Sequence, residues 1–143
     1  MKGLKTLIRL QQRELDTLRR RVVILQQRKE NLLKQSEDLL EQLKSEVVLA
    51  GELAGLSGFF GNFSEHIKNK RELLHKEAKK VDKKIEKVNE EIFDVFCDLK
   101  KYEVALKHHL EREKKKEERR EVQLMDEIAS RKHRKSREGN FAE

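Results

Sequence analysis

Apolar residues recur along residues 4–53 at alternating spacings of four and three. Eleven of the fifteen positions in this series are apolar, and the polar exceptions are Gln11, Lys29, Ser36 and Glu46. A repeat of 3.5 residues that persists over many turns is typical of a left-handed coiled coil, in which isolated polar positions weaken the seam but fix its register. The pattern predicts a first helix over residues 4–54.

A second and more regular series lies further along the chain. All of its members are apolar: Leu74, Ala78, Val81, Ile85, Val88, Ile92, Val95, Leu99, Tyr102 and Leu106. Asn62 is followed three residues later by Glu65, which resembles the capping box at the start of a helix. We therefore expect a second helix over residues 63–130 and a basic, frayed tail over 131–143.

Between the two series lies a cluster of glycines, which tolerate the positive φ of a tight turn. The cluster consists of Gly51, Gly55, Gly58 and Gly61. A Gly- and Phe-rich turn over residues 55–62, with the chain folded at about residue 59, would place Leu43 opposite the neighbourhood of His75. The predicted fold is all-α: one domain that forms a long antiparallel two-helix coiled-coil hairpin, with the second helix overhanging the first.

Composition supports uninterrupted helix. Asp, Glu, Lys and Arg make up 43% of the chain and there is no proline. All residues from 111 to 121 are charged, and oppositely charged residues four apart support a helix in solvent. Sheet architectures are disfavoured by this composition.

No residues are arranged as a catalytic or metal centre. Cys97 is the only cysteine and no Cys/His pair has zinc-finger spacing, which favours a reducing compartment. No glycine-rich phosphate loop and no nucleophile beside a base is present, and we expect a thin hairpin to offer no pocket. We expect a cytoplasmic protein without enzymatic activity, cofactor, metal, small-molecule substrate or membrane span.

Charge is distributed unevenly along the first helix. Residues 1–29 have a balance of +7 and residues 30–54 a balance of −4, so the open end of the hairpin should be basic. Its arginines are Arg9, Arg13, Arg19, Arg20 and Arg21, and the far end of the chain adds the apolar Leu124, Met125 and Ile128 and the basic Arg131, Lys132 and Arg134. Such a surface could bind an acidic protein, a membrane or nucleic acid. The absence of interleaved aromatic residues argues against nucleic acid.

Some apolar residues fall outside the two seams. They are Leu33, Leu40 and Val47 on the first helix and Phe93 and Phe96 on the second. The expected pairing places Val23 and Ile24 at the height of these phenylalanines, which would widen the apolar belt at mid-shaft. A third helix from a partner or another copy of the chain could cover the belt, or it could be a broad two-helix interface.

Together these features resemble the flagellar export protein FliJ, a small coiled-coil component of the flagellar type III export apparatus. The resemblance extends over nearly the whole chain. It includes the helical start Lys5-Thr6-Leu7-Ile8-Arg9-Leu10, the two unequal helices, and the ending Leu124-Met125-Asp126-Glu127-Ile128-Ala129-Ser130-Arg131.

The resemblance implies a non-enzymatic shaft at the flagellar base, peripheral to the inner membrane. Its open end would enter the ring of the export ATPase, and it would also contact the membrane export gate and the export chaperones. The gate contact would fall at about residues 63–75, where His66, Lys70 and Arg71 are more polar than an apolar docking stripe.

Other functions fit the same hairpin. One is the stalk protein of an injectisome-type secretion system. Another is a basic coiled coil that binds nucleic acid or membrane, which should lose affinity steeply with salt. A third is a self-assembling coiled coil sealed through the apolar residues outside the seams.

Overall fold

The chain forms two long helices. A computed structural model describes residues 2–52 and 57–141, with side chains at 2–49 and 61–139. Helix α1 extends over Lys2–Glu52 and helix α2 over Ser57–Phe141. The described part of the chain is helical throughout.

Helix α2 begins at Ser57, earlier than the expected residue 63. Asn62 therefore lies inside the helix and does not cap it. No described glycine has positive φ, and a Cβ built on Gly61 would meet nothing within 4 Å. A glycine inside a helix costs only about 1 kcal/mol relative to alanine, so the helix continues through this part of the predicted turn. Residues 53–56, which include Gly55, lie outside the described residues.

The basic end of the chain is also helical. Helix α2 continues to Phe141 and does not end at residue 130, so the expected fraying is not observed over 131–141. Lys and Arg are good helix formers, and no proline interrupts them. The charged end of α2 therefore keeps its helical backbone, and each of its described side chains, at residues 131–139, is exposed.

Contacts divide the chain into two compact units. Unit 1 contains Met1–Arg9 and Asp98–Glu143, and unit 2 contains Leu10–Cys97. Each unit holds parts of both helices. The organisation of the chain as a single domain stays a prediction.

In unit 2 the two helices pack antiparallel along the predicted seam. Its buried apolar residues are Leu15, Leu18, Ile67, Ala78, Val81, Val88 and Val95. Every predicted seam position with a described side chain in this unit is buried or half-buried. The predicted coiled-coil hairpin is confirmed, and Ile67 extends its seam upstream of Leu74.

The register of the hairpin differs from the expected one. His75, expected opposite Leu43, makes its cross-helix hydrogen bond to Ser36, which lies one heptad earlier on α1. The pairing of Lys29 with Asp82 has the same displacement. Because the apolar pattern repeats every seven residues, two registers one heptad apart bury similar seams, and only the polar contacts distinguish them.

In unit 1 burial changes abruptly along α2. Leu99 is buried, and Tyr102, Leu106 and His109 are half-buried, as are Leu4 and Ile8 of α1. From Leu110 to Gly139 every residue is exposed. This exposure agrees with the expected overhang of the second helix.

Candidate functional site

A polar cluster crosses the seam of unit 2 at Ser36. This serine is only 2% exposed. Its Oγ accepts a hydrogen bond from Arg71 Nε at 3.1 Å and lies 3.1 Å from His75 Nε2. A buried hydroxyl without partners would be unfavourable, so α2 supplies two polar groups where α1 interrupts its apolar series.

The seam pattern predicts Ser36 as a polar interruption but does not predict its partners. A signal is present in the sequence, because Arg71 lies three residues before Leu74 and continues the second series upstream. A buried polar position on one helix requires a donor on the other. Arg71 meets that requirement, but periodicity alone does not select it as the partner of Ser36.

Ion pairs flank the same seam. Lys29 Nζ lies 2.7 Å from Asp82 Oδ1, and Arg28 Nη2 lies 3.8 Å from Glu77 Oε2. Both pairs are partly exposed to solvent, so each contributes little stability by itself. Their value lies in specificity, since they are satisfied only in the observed register.

The arginines proposed for partner binding are all exposed. Arg13, Arg19, Arg20 and Arg21 lie on α1 in unit 2, and Arg9 lies in unit 1. None of them forms an ion pair within the described residues. Their positive charges are therefore available to an acidic partner.

The C-terminal part of α2 presents an apolar stripe to solvent. Leu124, Met125 and Ile128 are 58%, 73% and 47% exposed, and Val122 belongs to the same patch at 59%. Arg131, Lys132 and Arg134 follow, exposed and without an ion pair among the described residues. Large apolar side chains that nothing covers, next to a basic run, are typical of an interaction surface.

The residues expected to widen the apolar belt at mid-shaft differ in their burial. Phe93 is 66% exposed, and it lies two residues before the buried Val95 and thus on the opposite side of α2. Val23 and Ile24 are also exposed. The shifted register places them one heptad away from the part of α2 that they were expected to face. Leu33 and Leu40 are half-buried, whereas Val47 and Phe96 are exposed. A role for these residues in binding a partner stays a prediction.

The segment expected to meet the export gate has a mixed surface. Phe63 is half-buried, and His66 and Lys70 are exposed. A groove of about 380 Å³ is lined here by residues of both helices, namely Leu43, Ser64, Ile67, Lys68, Arg71, Glu72 and His75. The groove combines apolar walls with charged groups rather than presenting a uniformly apolar stripe.

Neither described helix has a stretch long and apolar enough to cross a membrane. The fold defines an all-α coiled-coil hairpin with exposed charged and apolar surfaces. The model of the family described as "Flagellar FliJ protein" matches residues 1–138, and the chain belongs to that family. Searches of curated proteins and of solved structures gave no match.

Membership of the family assigns the chain to a process. It is a component of the flagellar export apparatus and takes part in protein transport. The family is a structural, non-enzymatic export component. The expected resemblance to FliJ is thereby confirmed.

Proposed function

We propose that this chain is a coiled-coil shaft that binds the flagellar export ATPase and couples it to the export gate and the export chaperones. The observation that carries the proposal is the exposed apolar stripe at Leu124, Met125 and Ile128, followed by the basic residues Arg131, Lys132 and Arg134. In a member of the FliJ family, such a surface suits a contact with a partner in the export apparatus.

The proposed mechanism is mechanical and allosteric. The shaft contacts the ATPase ring through the exposed arginines and the C-terminal stripe, without taking part in the chemistry. A contact of this kind changes ATP turnover only if it binds one state of the ring more tightly than another. On this proposal the protein works at the flagellar base, peripheral to the inner membrane.

The experiment measures ATP hydrolysis by the flagellar export ATPase with and without this protein. Stimulation of turnover or ring assembly is the expected result. The double substitution Leu124→Glu/Ile128→Glu should abolish it, since two carboxylates would have to be desolvated at the contact. Both side chains are exposed, so the variant should keep the helical content of the parent chain.

A matched control substitutes residues on another side of the same helix. Gln123→Glu/Asp126→Asn leaves the net charge and the apolar stripe unchanged and should stimulate the ATPase normally. Absence of both binding and stimulation by the parent chain, at low as well as moderate salt, would overturn the proposal.

The gate contact is tested separately from the ATPase contact. We assign it to about residues 63–75, where the groove beside Ile67 is framed by Lys68 and Arg71. Lys68→Glu should weaken binding to the export gate protein and leave stimulation of the ATPase intact. Equal loss of both would place the gate contact elsewhere.

A further inference from the structure

One face of α2 in unit 2 is both acidic and apolar, and it points away from α1. Glu86 and Glu90 are each two residues from the buried Val88, and Phe93 and Cys97 are each two residues from the buried Val95. Residues two apart lie on nearly opposite sides of a helix. These four residues therefore form one stripe opposite the seam, in which Glu86, Glu90 and Phe93 are exposed and Cys97 is half-buried. We term this stripe the outer face.

The outer face is charged in the opposite sense to the chain as a whole. Residues 88–99 contain four acidic residues and no Lys or Arg, in a protein of net charge +7. Neither Glu86 nor Glu90 forms an ion pair within the described residues, and both line an open groove with Phe93. An exposed aromatic ring among unpaired carboxylates suits a basic helix with apolar anchors.

The described part of the chain contains a helix segment of that chemistry. Leu124, Ile128, Arg131 and Lys135 share one side of α2 in unit 1, and all four are exposed. We term this stripe the tail face. It lies in a region where residues 131–137 contribute five Lys or Arg residues.

The spacings of the two faces match. Successive residues of the outer face, from Glu86 to Cys97, are four, three and four positions apart. Successive residues of the tail face, from Leu124 to Lys135, have the same spacings. Antiparallel helices pack side by side when their stripes share this alternation. Aligned in opposite directions, the faces pair Cys97 with Leu124, Phe93 with Ile128, Glu90 with Arg131 and Glu86 with Lys135.

We propose that the outer face of one chain binds the tail face of a second copy in this antiparallel register. Two apolar contacts and two ion pairs make a small interface, so the association is weak and reversible. It uses part of the surface that the proposed function assigns to the ATPase and, insofar as that function holds, self-association competes with ATPase binding.

The first test uses Cys97 as a probe of the register. The variant Leu124→Cys should form a disulfide-linked dimer under mild oxidation, because residues 97 and 124 face each other in the proposed interface. The matched control Gln123→Cys points to another side of the helix and should remain largely monomeric. Adding Cys97→Ser to Leu124→Cys should abolish the cross-link. Equal cross-linking of the two cysteine variants, or none in either, would overturn the register.

The second test reverses charges and follows self-association of the full chain by sedimentation equilibrium at low salt. Glu90→Arg and Arg131→Glu should each weaken association by about tenfold, and the combined variant should recover it. Glu91→Arg makes the same change of charge on a different side of α2 and should have a smaller effect. Sedimentation as a monomer at every concentration, or failure of the combined variant to recover, would contradict the proposal.

Neither test contains the ATPase, so failure of this inference is distinguishable from failure of the proposed function. Glu90→Arg also distinguishes self-association from ATPase binding, because it weakens self-association and leaves the tail face intact. This variant should stimulate the ATPase at least as well as the parent chain.

Discussion

Two stretches of the same helix are helical for different reasons. Between residues 74 and 106 every fourth or third residue of α2 is buried or half-buried, so tertiary packing stabilises the helix. Between residues 110 and 139 every residue is exposed, and only intrinsic propensity and local charge pairs remain. In the first stretch the apolar side chains pack between the two helices. In the second stretch they stay exposed and are available for binding.

The largest contrast is expected when the same polar change is made in both stretches. Val81 is 2% exposed and Val122 is 59% exposed. Val81→Asp should lower the free energy of unfolding by about 3 kcal/mol or more, because a carboxylate would be buried without a partner. Val122→Asp should change it by about 0.5 kcal/mol or less.

Urea unfolding followed by circular dichroism measures both variants. A similar loss of stability from the two changes would show that the exposed stretch is packed in solution, and the contrast between the stretches would fail.

A smaller effect is expected at the polar cluster of the shaft. Ser36→Ala removes the acceptor of the Arg71 hydrogen bond and the partner of His75, and it should destabilise the chain by about 1 to 2 kcal/mol. Ser45→Ala, at an exposed position on the same helix, corrects for the higher helix propensity of alanine. Denaturant midpoints of the two variants give the difference, and equal midpoints would contradict a stabilising role for the cluster.

The opposite sign is expected at Gln11. This seam residue has a buried Oε1 with no hydrogen-bond partner among the described residues, unlike Ser36. Gln11→Leu should therefore stabilise the chain by about 1 kcal/mol, since it removes an unsatisfied polar atom and adds apolar burial. Gln12→Leu, at the neighbouring exposed position, is the control for thermal unfolding and should leave the melting temperature nearly unchanged.

The smallest effect concerns the local charges of the exposed stretch. Glu113 Oε1 lies 3.9 Å from Lys116 Nζ and 4.0 Å from His109 Nε2. Glu113→Gln should cost about 0.3 kcal/mol of local helix stability, since each such pair contributes only a few tenths. Amide hydrogen exchange over residues 109–117 reports the change. Glu118 forms no ion pair among the described residues, so Glu118→Gln is the control. Its amide hydrogens should exchange at the rates of the parent chain.

Much of the fold follows from the sequence because coiled coils encode burial in a simple period. The series through Val81 and Val88 located the seam of α2 without any structural information. Register is a different problem, since His75 could face Leu43 or Ser36 with the same apolar burial. The contacts that decide it involve Arg71 and Asp82, which periodicity alone does not single out.

The candidate surfaces were only partly predictable. The exposed stripe at Leu124 and Ile128 followed from the unequal lengths of the two helices. The side of α2 on which Phe93 lies could not be predicted in this way. An apolar residue outside one seam can either widen that seam or begin a second one. Its place two residues from Val95 decides the question only once Val95 is known to be buried.

The long exposed stretch of α2 also has a consequence for the lifetime of the chain. Residues 110–139 are rich in Lys and Arg and every one of them is exposed, so they should open locally more often than the buried seam does. A protease that cleaves after basic residues would then remove this part first and leave the paired shaft behind. Any partner that covers the stripe would protect the chain from such cleavage. The fraction of chains bound to a partner would then determine how fast the protein is degraded.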